Sequence, residues 1–246
     1  MELVVNTGAS RADTQPPIVS VGVDVGQRHD PTAVVVAEAV YPDPTPGAPD
    51  EPTYAVRAIT RLPLGTLYPA VVAFIEEAIT TLRRRGVTSP TLFVDATGVG
   101  PAVVDPLRLR LRASGSAARL VGVYFTHGDR FTENRPDHTA TLGKAFLVSR
   151  LQSLLQSGRI TLPRTPESEA LAEELLNYEI HVDERANDTY GAFRVGSHDD
   201  LVTALGLATL PSSDGQFMRD MMRRAAMQRQ RVIEAEMVMT PFRIRP

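Results

Sequence analysis

The sequence predicts an α/β fold: a central mixed five-stranded sheet flanked by helices, with an extra β-hairpin and a C-terminal helical tail. Three observations carry this expectation. Short β-branched runs bounded by turn residues, such as Val21-Gly22-Val23-Asp24-Val25 and Leu92-Phe93-Val94-Asp95, read as buried strands. Other segments repeat apolar residues at three- and four-residue spacing and read as amphipathic helices. The order is three strands in succession, then helix and strand in alternation, which is a meander followed by βα units.

Taken in order, Ile18 to Val25 is the first strand. Asp30-Pro31 closes a turn, because proline cannot continue a ladder, and Thr32 to Val40 returns as the second strand. The proline- and acid-rich Tyr41 to Pro52 is an extended loop before a third strand, Tyr54 to Arg61. Leu67 to Arg85 has an apolar face of Val71, Val72, Ile75, Ala78, Ile79 and Leu82, and Gly86 follows as a C-terminal stop. Thr91 to Asp95 is the fourth strand. After a tight Thr97-Gly98-Val99-Gly100 connection, Pro101 suits the first turn of a helix reaching Ala113. Arg119 to Phe125 is the fifth strand, and Thr126 to Thr139 a polar, charged loop. Helices are expected over Thr141 to Ser157 and Ser168 to Tyr178, a hairpin over Glu179 to Asp183 and Tyr190 to Val195 around Asn187-Asp188, and a last helix over Asp199 to Leu210.

This divides the chain into a flexible tail (1–16), one α/β domain (17–211) and a Met/Arg-rich helical tail (212–246). Six of the seven methionines lie between Met218 and Met239, interleaved with arginine and glutamate. Methionine is adaptable at partner surfaces; such a helix either docks a partner or packs on its own domain. The chain has no cysteine, which excludes disulfides, thiolate metal sites and cysteine nucleophiles. No apolar run approaches the roughly 18 residues of a membrane span. A net charge of -3 argues against a uniformly basic nucleic-acid binder, but the arginines cluster, at Arg83 to Arg85, at Arg108/Arg110/Arg112 and from Arg219 to Arg231.

Three acidic motifs carry the chemistry. A carboxylate among valines is costly to bury unless a cation meets it. Asp24 shares its strand face with Gly22 and Gly26, neighbours without side chains, which suggests room for an ion and a phosphate. Asp95 closes a strand before a Gly-rich turn, where ligands of open α/β sheets bind; it could also cap the following helix. Asp199 and Asp200 open the last helix, where Ser197 and Asp200 also fit a capping box. Together, the three sites suit a pair of hard divalent cations, Mg²⁺ or Mn²⁺. The histidines lack zinc-ligand spacing, and no Gly-x-x-x-x-Gly-Lys-[Ser/Thr] segment is present.

The element order is that of the ribonuclease H-like fold. Within it, Val21 to Gly26 with Asp30 to Ala33, Phe93 to Gly100, and Gly196 to Leu205 resemble the nuclease domain of the large terminase subunit of tailed bacteriophages. The resemblance spans roughly residues 18 to 211. It implies an endonuclease that cuts concatemeric viral DNA during packaging in the cytoplasm of the bacterial host. It also implies metal-binding catalytic carboxylates at Asp24, Asp95 and Asp200, with Asp199 adjacent and sharing the role. Double-stranded DNA is the expected substrate, and Arg28, Arg130 and Lys144 are candidate phosphate contacts. A separate packaging ATPase, a portal or a small terminase subunit are the expected partners, since full-length members carry an ATPase motor ahead of the nuclease and this sequence shows none. Two other readings stay open: a non-catalytic DNA- or partner-binding module on the same fold, and an ATP-binding domain of the actin and sugar-kinase type, whose phosphate loops look similar.

Overall fold

A computed structural model describes residues 18–42, 51–98, 100–182, 188–191 and 199–211, with isolated helical positions between Phe217 and Gln228. The chain divides into two compact units, one of Met1–Val40 with Thr53–Leu210 and one of Tyr41–Pro52 with Pro211–Pro246. The expected tail 1–16 lies outside the described residues. In the second unit the described helical positions include Phe217, Met221 and Met227, all exposed.

The expected meander is present as β1 (Ile18–Asp24), β2 (Ala33–Val40) and β3 (Thr53–Arg61), antiparallel throughout. The βα units follow as α1 (Tyr68–Arg84), β4 (Thr91–Asp95), α2 (Pro101–Ala113) and β5 (Arg119–Thr126), with β4 parallel to both β1 and β5. The six apolar residues expected to form one face of α1 are its six buried residues. The segment expected to be a polar loop instead adds β6 (Phe131–Asn134) and β7 (Thr139–Gly143) at one edge of the sheet. Helix α3 (Lys144–Gln156) therefore begins three residues later than the helical spacing suggested, because Thr141 to Gly143 pair with β5. The two-residue β8 (Ile160–Thr161) extends the other edge beside β3. The result is an eight-stranded sheet in the order β6-β7-β5-β4-β1-β2-β3-β8, whose middle five strands are the five expected.

Helix α4 (Pro166–Asn177) is opened by Thr165, whose hydroxyl accepts the Ser168 amide at 3.3 Å. Strands β9 (Glu179–Val182) and β10 (Asp188–Gly191) form the separate hairpin. Its turn and residues 192–198 lie outside the described residues, and β10 starts at Asp188, earlier than expected. Helix α5 (Asp200–Ala208) closes the unit.

Strand alternation splits the core in two. Val19, Val21 and Val23 of β1, with Val34 and Val36 of β2, face α1 and α2. Ala33, Val35 and Ala37 of β2, Phe93 of β4 and Val121 and Val123 of β5 pack with α3, α4 and α5. Ser20, Gly22 and Asp24 are therefore on the α5 face of β1, and Asp95 shares the face of Phe93 on β4. Val23 pairs with Val94 across these parallel strands, so the next step of the register brings Asp24 and Asp95 side by side at their carboxyl ends.

Candidate active site

Helix α5 lies directly on β1 because Gly22 has no side chain. An ideal Cβ at Gly22 would fall well under 3.0 Å from the Ala204 carbonyl oxygen and the Ala208 amide nitrogen, and 2.9 Å from Leu207 Cβ. The space expected over Gly22 for an ion is thus filled by helix backbone. The same correction holds at Gly26, where a Cβ would meet the Asp30 carbonyl. Glycine at these positions brings chain to chain, and the close packing of α5 sets its amino terminus beside the end of β1.

That terminus presents Asp199 to the cleft and turns Asp200 inward. Asp199 is the N-cap residue of α5 and makes no side-chain cap hydrogen bond. Asp200 is 2% exposed, and its Oδ2 accepts from Arg61 Nε at 2.8 Å. The expected capping box is not what opens this helix: Ser197 lies outside the described residues, and the cap residue is two positions later. The free amides are instead taken by Glu174 of α4, whose Oε2 accepts from Leu201 N at 3.0 Å and Val202 N at 3.3 Å. Its other oxygen, Oε1, pairs with Arg61 Nη2. Arg61 thus joins two buried carboxylates, and the three side chains tie β3, α4 and α5 together.

A cleft of about 530 Å³ opens at the carboxyl ends of β1 and β4. Asp24, Asp95 and Asp199 line it, with Asp30 and His29 from the β1–β2 turn, Lys144 at the start of α3, and Tyr68 and Tyr178. The turn is pinned by Thr32, whose hydroxyl donates to the Gly26 carbonyl at 2.8 Å and accepts the Gly26 amide at 3.1 Å. The Asp24 carboxyl is pushed well above the usual carboxylate range. Burial is the first cause, followed by the negative charges of Asp95, Asp199, Asp200 and Asp30. Burial also raises Asp95, against a Thr97 amide that donates to its Oδ1 at 2.7 Å, a side-chain hydrogen bond from Thr97 and the nearby charge of Lys144. Asp95 therefore orders the turn after β4 rather than capping α2, whose N-cap is Gly100.

Of the expected phosphate contacts, Arg28 and Lys144 line the cleft. Arg130 does not; its side chain is 92% exposed on the β5–β6 loop. Among the described residues, no three His, Asp or Glu side chains already converge on a single ion position. What the cleft offers is a cluster of hard carboxylate oxygens in which Asp24 feels every other member, the donor chemistry that suits Mg²⁺ or Mn²⁺. Arg61 and Glu174 were not legible as site residues. The one signal in the sequence was a glutamate three residues after Leu171, on the buried stripe of α4.

Neither a family model nor a curated protein sequence matches the chain. Solved structures do. The large terminase nuclease of thermophilic phage G20c with bound magnesium is 20% identical, with a TM-score of 0.50 over 78% of this chain and 80% of that one. Its cobalt-bound form gives 0.51 over the same extents. This fold is that of the large terminase nucleases. The large terminase of bacteriophage HK97 shares it at 19% identity and a TM-score of 0.50, over 79% of this chain and 39% of that longer one. The terminase nuclease fold is a ribonuclease H-like α/β domain, as the element order predicts. Its likeness to this chain is one of architecture.

Proposed function

We propose that this chain is a metal-dependent endodeoxyribonuclease of the terminase type, acting on double-stranded viral DNA during packaging. The observation that carries the reading is the gathering of Asp24, Asp95 and Asp199 around one open cleft, with the Asp24 carboxyl raised first by burial and then by its neighbours' charge. Like charges are brought together at a stability cost, and sites that bind cations are where that cost is recovered. The magnesium and cobalt bound to the G20c nuclease support the same reading.

Asp24, Asp95 and Asp199 would hold two Mg²⁺ or Mn²⁺ ions, Asp24 from the end of β1 in the middle of the sheet and Asp95 from the neighbouring end of β4. Bound there, the ions would supply a nucleophilic water and neutralise charge on the scissile phosphate. The chain's own residues do the rest. Arg28 and Lys144 draw the phosphate backbone to the cleft mouth, contacts that carry little base preference. Thr97 and Thr32 hold the Asp95 and Asp24 turns rigid. Asp200 serves from behind: paired with Arg61, it fixes the first turn of α5 so that Asp199 points into the cleft. The packaging ATPase, portal and small terminase subunit are the proposed partners, and the host cytoplasm the proposed location.

Plasmid cleavage by the purified protein in Mn²⁺, Mg²⁺ or EDTA, beside Asp24→Asn and Asp95→Ala, tests this. Nicking and linearisation that need metal and vanish in both variants are expected. Cutting retained by Asp24→Asn would sink the assignment. No cutting by a folded wild-type protein would favour the non-catalytic binding module.

A further inference from the structure

The loop from β3 to α1 leaves the sheet at the end where the carboxylates gather. Asp24 pairs with Ala33 and Ala33 with Arg61, so the three lie in one row across β1, β2 and β3. Two strand spacings put the end of β3 about 10 Å from the end of β1. The loop is also fastened to the cleft rim. Gly65, at φ 85°, donates its amide to the Gln27 carbonyl at 2.7 Å, and Gln27 and Arg28 both line the cleft. Tyr68, the first residue of α1, lines it too. The Thr66 amide and hydroxyl both donate to the Pro63 carbonyl, at 3.1 Å and 2.5 Å, which closes the loop into a tight turn.

What this turn displays is apolar. No charged residue occurs from Leu62 to Ile75. Leu64 is 59% exposed and Leu67 64%, and Pro63, Pro69 and Ala70 are exposed beside them. A single exposed leucine is ordinary; two on one tight turn at the rim of a cleft form a patch. Leu67 is also the N-cap residue of α1, in the extended conformation (φ -70°, ψ 144°) from which serine, threonine or aspartate would accept a free helix amide. The helix has no side-chain cap, and its first turn carries no acid. The position thus forgoes a cap and holds a leucine in solvent. Arg28 is exposed on the adjoining β1–β2 turn. An occupant of this tip must therefore be apolar where it meets the leucines and anionic beside them, which describes a base step and its flanking phosphates.

Leucine is among the side chains that proteins drive between base steps, unstacking them and kinking the duplex. We propose that Leu64 and Leu67 are such a wedge, opening a base step of the duplex held in the carboxylate cleft while Arg28 takes a flanking phosphate. The proposal rests on the nuclease reading and adds to it a source of site preference. At about 3.4 Å per step, the wedge enters a few base pairs from the scissile bond. Pyrimidine–purine steps unstack most readily, so cutting favours sites with such a step at that fixed offset.

The test uses the full chain with Ca²⁺ in place of Mg²⁺, and duplexes carrying the fluorescent base 2-aminopurine at successive steps. Binding is followed by anisotropy, and unstacking by the rise in 2-aminopurine fluorescence. The wild type should raise the fluorescence at one step and leave the others dark. Leu64→Ser/Leu67→Ser should still bind and lose the rise, whereas Leu109→Ser, at a leucine 67% exposed on α2, should keep it. Leu67→Ser alone supplies the missing cap and should raise Tm by about 2–4 °C, so unstacking lost in that variant is not lost folding. A fall in its Tm would assign Leu67 to packing and overturn the proposal. So would a rise that persists in the double variant, or one that Leu109→Ser also loses. A wild type that cuts plasmid in Mg²⁺ but unstacks no step would overturn the wedge and leave the nuclease reading standing; one that neither binds nor cuts would overturn both. A wild-type dimer in sedimentation that the double variant dissolves, with unstacking unchanged, would give the leucines to a contact between copies instead.

Discussion

Replacing Gly22 by alanine adds one methyl group at the interface of β1 with α5. The new Cβ would overlap the Ala204 carbonyl oxygen and the Ala208 amide nitrogen and sit 2.9 Å from Leu207 Cβ. Two of the three obstacles are helix backbone, so no rotamer change relieves the overlap; α5 must move away from the sheet by on the order of 1 Å to restore normal contact distances. Overpacking costs about 1–3 kcal/mol, and a backbone-on-backbone clash belongs at the upper end, about 3 kcal/mol. For a domain of this size that lowers Tm by about 6–12 °C. Thermal unfolding followed by circular dichroism measures it. Gly122→Ala is the internal control, because a Cβ there would lie 3.4 Å from Ala96 Cβ and 3.8 Å from Val104 Cγ1, ordinary contacts. Gly122→Ala should melt near the wild type. A Gly22→Ala protein that melts within 2 °C of its Gly122→Ala counterpart (about the shift expected from less than 1 kcal/mol) would refute the close seating of α5. Metal-dependent cutting should also fall in Gly22→Ala, since Asp199 travels with the helix.

Three further outcomes follow from the same geometry. Arg61→Met leaves Asp200 and Glu174, 2% and 9% exposed, without their shared cation; urea unfolding should show a loss of about 3 kcal/mol, the low end for a broken buried pair because Arg61 keeps some solvent contact. Asp199→Asn should keep the wild-type melting temperature and lose cutting, whereas Asp200→Asn should lose stability first; the reverse pattern would exchange their roles. The raised Asp24 carboxyl costs stability once it ionises. A native pKa above the unfolded value means the native state holds the proton more tightly, so its stability contribution is present below about pH 4 and is lost as pH rises through the raised native value. In EDTA, Asp24→Asn should thus melt higher than wild type at pH 7, with the gap closing on acidification. Adding Mn²⁺ should raise the wild-type Tm and leave the variant's unchanged; equal shifts would argue against the cleft as the metal site.

The middle of the sheet was legible because its strands are long, β-branched and bounded by proline and glycine. The edges were not. Phe131 to Asn134 is a four-residue strand built mostly of polar residues, and Ile160-Thr161 is two residues long; both exist only because a neighbouring strand supplies partners. Lys144 begins its helix late for the same reason, since the residues before it are recruited by β5. In the cleft, Asp24 and Asp95 could be read because each ends a strand and parallel strands align their ends. The different settings of Asp199 and Asp200, one lining the cleft and the other buried, could not, because they depend on Arg61 and Glu174, which are 139 and 26 positions removed from Asp200. Local sequence suggested a serine cap where a distant glutamate does the work. Gly22 was likewise visible as an absence of side chain, but the sequence does not say what occupies that space.

The Glu174 carboxylate has a consequence for how this chain can change. It grips the first amides of α5 from α4, so a contact made across space helps set where Asp199 stands. A substitution at Glu174, which does not line the cleft, would therefore shift a carboxylate that does. Residues on a neighbouring helix can in this way retune the cleft while every side chain lining it stays the same.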